Sequence, residues 1–69
     1  NNKGLYDRAI GDFDKAIALN PDYAKAYNNR GLAYGMKDIA GRSLSDFQMA
    51  CNLGIEDSCK NLQKVLEGR

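Results

Sequence analysis

The chain has 69 residues, 43% of them hydrophobic, with 10 Lys or Arg against 9 Asp or Glu for a net charge of +1. That apolar content excludes a disordered chain, and the balanced charge gives no electrostatic footprint for nucleic acid or an anionic membrane surface. His and Trp are both absent, which removes the commonest general base and the commonest metal ligand; two cysteines alone cannot build a four-ligand zinc site.

Four helices are predicted, in chain order. Asn1 to Gly4 read as a polar lead-in. From Leu5 to Leu19 the apolar residues Leu5, Tyr6, Ala9, Ile10, Phe13, Ala16 and Ile17 form one broad helical face. Asn20-Pro21-Asp22 ends that helix, because proline pushes the residue before it out of helical geometry. A second helix is expected from about Asp22 to Lys37, with Ala26, Tyr27, Ala33 and Tyr34 inward. After a turn near Lys37-Asp38, a third runs from about Ile39 to Leu53 and carries Ile39, Ala40, Leu44, Phe47, Ala50 and Cys51. Gly54 suits a left-handed stop. Glu56 or Asp57 is expected to cap a last helix, reaching about Glu67, with Cys59, Leu62, Val65 and Leu66 apolar. No apolar run approaches the ~20 residues that cross a bilayer.

The second half of this pattern repeats the first. At an offset of 34 residues Arg8 falls on Arg42, Asp12 on Asp46, Phe13 on Phe47, Ala16 on Ala50 and Leu19 on Leu53. A period in this range marks a helical array whose units bury their apolar faces against their neighbours. Such arrays present surfaces to other chains. A core this small is marginal when isolated, and the chain reads as a piece of a longer array.

These residues resemble a tetratricopeptide repeat. Tyr27, Gly31 and Tyr34, then Phe47 and Ala50, stand at the family's spacing, and Ala9, Phe13, Ala16 and Pro21 supply the second half of a preceding repeat. The resemblance implies an all-α helical-hairpin solenoid, a right-handed superhelix, in one domain. Residues 1–23 would be the second half of a truncated repeat, 24–57 a complete repeat, and 58–69 a capping helix. Gly31 would let two helices approach closely, with Ser43 and Ala50 keeping the facing helix thin and Tyr27, Tyr34 and Phe47 filling the space around the contact. Three positions depart from the pattern: Arg30 replaces the usual Leu, Asp38 stands where the first repeat has Gly4, and Ile55 stands where it has Pro21. Val65 occupies the close-packing glycine position of the last helix, as suits a cap.

The resemblance also implies function: a protein–protein interaction scaffold without catalysis or cofactor, whose concave groove takes a protein or peptide. The groove positions map to Lys25, Asn28, Asn29, Leu32 and Met36, with Leu62 and Gln63 continuing on the last helix. Asn29 matches the asparagine that bonds a peptide backbone in relatives that clamp a C-terminal carboxylate. An amide offers donor and acceptor together. Gln63 stands where that clamp needs Arg, which disfavours it. The alternative is a self-assembly module. With no preceding helix to cover it, the first helix is expected to expose Tyr6, Ile10, Phe13 and Ile17, giving homo-oligomers. Asp38 adopts a left-handed turn less readily than Gly, so a domain swap through a fused second and third helix is a further form of that alternative.

Cys51 and Cys59 would lie ~12 Å apart along a continuous helix, beyond disulfide reach, but a turn at Leu53-Gly54-Ile55 can bring them together. The segment also resembles cysteine-rich Sel1-like repeats, which bridge cysteines at this spacing. Two buried thiols fit the residues as well, since Cys51 falls at the core position of Ile17. Both readings stand at this stage.

Overall fold

Helices α1 (Lys3–Leu19), α2 (Ala24–Met36), α3 (Ala40–Asn52) and α4 (Glu56–Glu67) follow one another with short links. The computed structural model describes residues 3–68. Each helix packs on the next: α1 on α2, α2 on α3 and α3 on α4. The four elements lie where the sequence places them. Their ends differ, and the ends have physical reasons.

Lys3 and Gly4 belong to α1 rather than to a lead-in; Asn1, Asn2 and Arg69 lie outside the described residues. At Asn20-Pro21-Asp22 the Asn20 side-chain oxygen accepts from the Asp22 N–H at 3.2 Å, and the Tyr23 N–H reaches the Asn20 carbonyl at 3.0 Å. This closed turn holds Asp22 outside the helix, so α2 starts two residues later than expected, after Tyr23.

The α2–α3 and α3–α4 links are the same motif one repeat apart. In the first, the Ile39 N–H bonds the Tyr34 carbonyl at 2.9 Å and the Asp38 N–H bonds Gly35 at 3.0 Å. In the second, Ile55 bonds Ala50 at 3.0 Å and Gly54 bonds Cys51 at 3.0 Å. Both are Schellman closures, which require a left-handed residue after the helix. Gly54 takes it at φ 107°, and Asp38 takes it at φ 60° despite its Cβ. In the single chain Asp38 accepts the left-handed turn, and α2 and α3 close into a hairpin rather than a fused helix. Glu56 and Asp57 do not cap α4 either. Ile55 occupies the cap position without a side-chain bond, and the two acids sit in the first turn, where they complement the helix dipole.

The core gathers at the α2–α3 contact. Ala26, Ala33, Phe47 and Ala50 are buried, and so are Ser43 and Ser58. A Cβ added at Gly31 would stand 2.9 Å from two carbons of the Phe47 ring, so the ring lies directly on the glycine backbone. Ser43 Oγ donates to the Gly31 carbonyl at 2.9 Å, which makes the buried hydroxyl part of the same contact. Tyr27 and Tyr34 flank it half-buried rather than filling the centre.

Cys51 and Cys59 are joined by a disulfide, their Cα atoms 4.8 Å apart. Of the two readings left open by the sequence, the structure takes the bridge, which staples α3 to α4 beside the Gly54 turn. Closing so short a loop contributes about 2–3 kcal/mol in the chain-entropy account. Replacing both cysteines by Ser is expected to lower the unfolding free energy by about that amount. Urea titrations with and without reductant should show the same loss for the unsubstituted chain, and insensitivity to reductant would refute the bridge.

Candidate functional site: two faces of α2

The helix α2 touches every other helix, and its side chains sort by direction. Toward α1 and α3 it sends Arg30, whose Nε and Nη2 donate to the two carboxylate oxygens of Asp46 at 2.8 and 2.7 Å. Arg30 Nη1 donates to Asp14 Oδ1 at 2.7 Å, so one guanidinium joins three helices. Its fork also lies 5.5 Å from the Tyr27 ring centroid. The bond to Asp46 raises the Arg30 pKa above its already high ordinary value; burial opposes this, and Asp14 adds to it. Lys37 makes a further ion pair with Asp7 of α1.

A polar cleft of about 350 Å³ lies over this junction, lined by Asp14, Arg30, Tyr34, Arg42, Ser45 and Asp46. Arg42 stacks on the Tyr34 ring at 5.7 Å from its centroid and donates to its hydroxyl at 3.4 Å. Both carboxylates are held by Arg30, and Ser45 has no imidazole to activate it, since the chain contains no His. The cleft is a structural junction. Among the described residues no cluster of His, Cys, Asp or Glu could hold a metal ion, and no helix is long and apolar enough to cross a membrane.

The opposite face of α2 carries the expected groove positions. Lys25, Asn29, Leu32 and Met36 fall at i, i+4, i+7 and i+11, one continuous stripe, and all four are exposed. Leu32 and Met36 are apolar side chains left 45% and 65% accessible. Asn28 is not part of this stripe. Its Oδ1 accepts from Ser58 Oγ at 2.6 Å and from Asn61 Nδ2 at 3.4 Å, so it ties α2 to α4. Leu62, one repeat after Asn28, is likewise half-buried, while Gln63, one repeat after Asn29, is exposed. Leu66 stands one repeat after Leu32 and is 57% accessible. The groove positions expected from the sequence do not include it, although the same 34-residue offset points to it.

The self-association residues are placed differently from expectation. Ile10 is buried at 8% accessibility, and Tyr6, Phe13 and Ile17 are half-buried. These residues line the flank of α1 nearest α2, on the same side as the ion-paired Asp7 and Asp14, and α2 covers much of them. The large apolar residues of α1 that stand exposed are Leu5 and Leu19.

The family described as TPR repeat matches residues 2–38 of this chain. The chain belongs to the tetratricopeptide repeat family. It is also 38% identical over 56 residues to tetratricopeptide repeat protein 13 of Homo sapiens, an alignment that covers 77% of this chain and 6% of that protein. The tetratricopeptide chain thus spans a small part of the relative's length. No solved structure matches it significantly. The TPR match ends before Cys51, so it carries the repeat assignment and not the Sel1-like resemblance of the cysteine segment.

Proposed function

We propose that this tetratricopeptide segment is a protein–protein interaction module that holds a partner peptide along the α2–α4 face. The observation that supports it is the stripe of Lys25, Asn29, Leu32 and Met36, extended on α4 by Gln63 and Leu66. Apolar side chains stand in the open beside an exposed amide, which is the composition a peptide groove needs: Leu32, Met36 and Leu66 bury partner side chains, and Asn29 bonds the partner backbone. Asn28 ties α2 to α4 beneath this surface through Ser58 and Asn61.

Peptides selected from a displayed random library on the folded chain test this directly. Binding is expected to fall at least tenfold for Leu32→Glu and three- to tenfold for Asn29→Ala, with little change in melting temperature because both side chains are exposed. Selected peptides that bind Leu32→Glu and Met36→Glu as tightly as the parent would refute the groove.

A further inference from the structure

The α1–α2 and α3–α4 junctions correspond across the 34-residue offset, and different chemistry holds them. At the first, two carboxylates of α1 reach cations of α2: Asp7 pairs with Lys37 and Asp14 with Arg30. One repeat later α3 carries Gly41 and Gln48 at the places of those carboxylates. Glycine has no side chain to pair, and the Gln48 amide turns to Asn52 of its own helix at 3.0 Å. The disulfide stands in their stead. Cys51 and Cys59 occupy the positions of Ile17 and Lys25, so a redox-labile bond ties α3 to α4 where charge pairs tie α1 to α2.

What this bond holds in register is the α4 part of the groove. Ser58, next to Cys59, is 0% accessible and donates to Asn28 of α2 at 2.6 Å. The bridge therefore fixes the residue that seats α4 against α2. A helix of 12 residues is marginal in water without such seating. The buried apolar residues Ile10, Ala26, Ala33, Phe47 and Ala50 lie on α1, α2 and α3, so those helices keep their core when α4 is released.

We infer that Cys51–Cys59 is a thiol-operated latch on the groove. Oxidised, it presents Gln63 and Leu66 of α4 beside Leu32 and Met36 of α2; reduced, it lets α4 leave that register while α2 and α3 stay folded. The effect on binding rests on the groove proposed above, and the release of α4 does not. The co-reactant is a dithiol. Its thiolate attacks one protein sulfur and displaces the other, and its second sulfur then attacks the mixed disulfide and departs as a cyclic disulfide. The dithiol is oxidised, and the chain gains two electrons and two protons and ends with two thiols. Both cysteines are half-buried rather than enclosed, which leaves the bond open to a small thiol.

NMR of the isotopically labelled whole chain, oxidised and in dithiothreitol, tests the release without a ligand. On reduction the amides of Lys60 to Leu66 should move toward random-coil shifts, while those of Gly31, Ala33 and Phe47 keep their native positions. The same comparison in the Gly11→Ala background, whose added helix propensity raises overall stability, separates release of α4 from global unfolding. Native α4 shifts in dithiothreitol would overturn the latch, and so would loss of the Gly31 and Phe47 signals together with α4 in both backgrounds. Binding is read with a library peptide selected on the oxidised chain and weakened by Leu66→Ala. Its affinity should fall at least about fivefold in dithiothreitol, the scale of losing one apolar anchor, and equally for the Cys51→Ser, Cys59→Ser chain. In a Gln63→Ala, Leu66→Ala chain reduction should change it less than about twofold, because α4 no longer contributes. Equal affinity of the oxidised and reduced parent chain would overturn the gating of the groove. If no selected peptide responds to Leu66→Ala, the groove reading fails, and with it the gating, while the NMR shifts still decide whether α4 is released.

Discussion

Replacing Arg30 by Leu is expected to destabilise the fold by about 3–4 kcal/mol, although Leu is the residue the family pattern favours at this position. The reason is Asp46, whose side chain is only 6% accessible. Both its oxygens are satisfied by Arg30 at 2.7–2.8 Å. Removing the guanidinium strands a buried carboxylate, and an uncompensated buried charge is costly where an intact pair is close to neutral. For a chain of this size the total stability is about 3–10 kcal/mol, so the variant should be largely unfolded at elevated temperature. Asp46→Ala is the informative contrast. It leaves Arg30 partly accessible and still paired with Asp14 at 2.7 Å, and the expected loss is smaller, about 1.5–3 kcal/mol, that of hydrogen bonding to a charged group. The double variant, Arg30→Leu with Asp46→Ala, should be no worse than Asp46→Ala alone, because it leaves no orphaned charge. Denaturant titrations of the four chains give the coupling directly, and additive losses would show that the ion pair is not what makes Arg30 necessary.

That junction also marks the limit of what the sequence disclosed. The 34-residue offset and the alternation of apolar faces place all four helices, and Gly31, Phe47 and Ala50 lie in the close contact that their spacing implies. Arg30 could be seen to depart from the pattern, but not to be the tie between three helices, because its partners Asp14 and Asp46 are each sixteen residues away in opposite directions. The same distance effect misplaced the open face of α1. Reading the helix alone, Tyr6, Ile10, Phe13 and Ile17 look like an uncovered stripe. Where α2 lies against α1 decides which flank is covered, and the pairs that mark that side, Lys37 with Asp7 and Arg30 with Asp14, join residues 30 and 16 apart in sequence. Asn28 and Asn29 are adjacent and chemically identical, yet Ser58 engages only the first. The repeat offset separates them in hindsight: it sets Asn28 on half-buried Leu62 and Asn29 on exposed Gln63. Asp38 shows the opposite case, a residue ill-suited to its φ that holds the turn because Tyr34 and Gly35 supply both closing carbonyls.

Two glycines, each changed to Ala, should move stability in opposite directions. At Gly11 an added Cβ meets nothing within 4 Å, so the only effect is the helix propensity of Ala over Gly, a gain of about 0.5–1 kcal/mol. Gly31 receives the same propensity gain. There, however, the new carbon would stand 2.9 Å from Cδ1 and Cε1 of Phe47 and 3.3 Å from the Asp46 Cβ. Phe47 is 3% accessible and has no open space into which its ring can swing. Relief requires α2 and α3 to separate, which lengthens the Ser43 bond to the Gly31 carbonyl and disturbs the Arg30–Asp46 fork. Overpacking of this kind costs about 1–3 kcal/mol, so the net loss for Gly31→Ala is expected at about 1–2 kcal/mol, and Gly31→Val should exceed it. Shrinking the ring in the same chain, with Phe47→Leu, should return part of the loss, since clash and cavity then offset each other. If Gly31→Ala instead stabilised the chain as Gly11→Ala does, the close approach of α2 and α3 would not depend on the missing Cβ. Val65 would then be no obstacle to a further helix on α4.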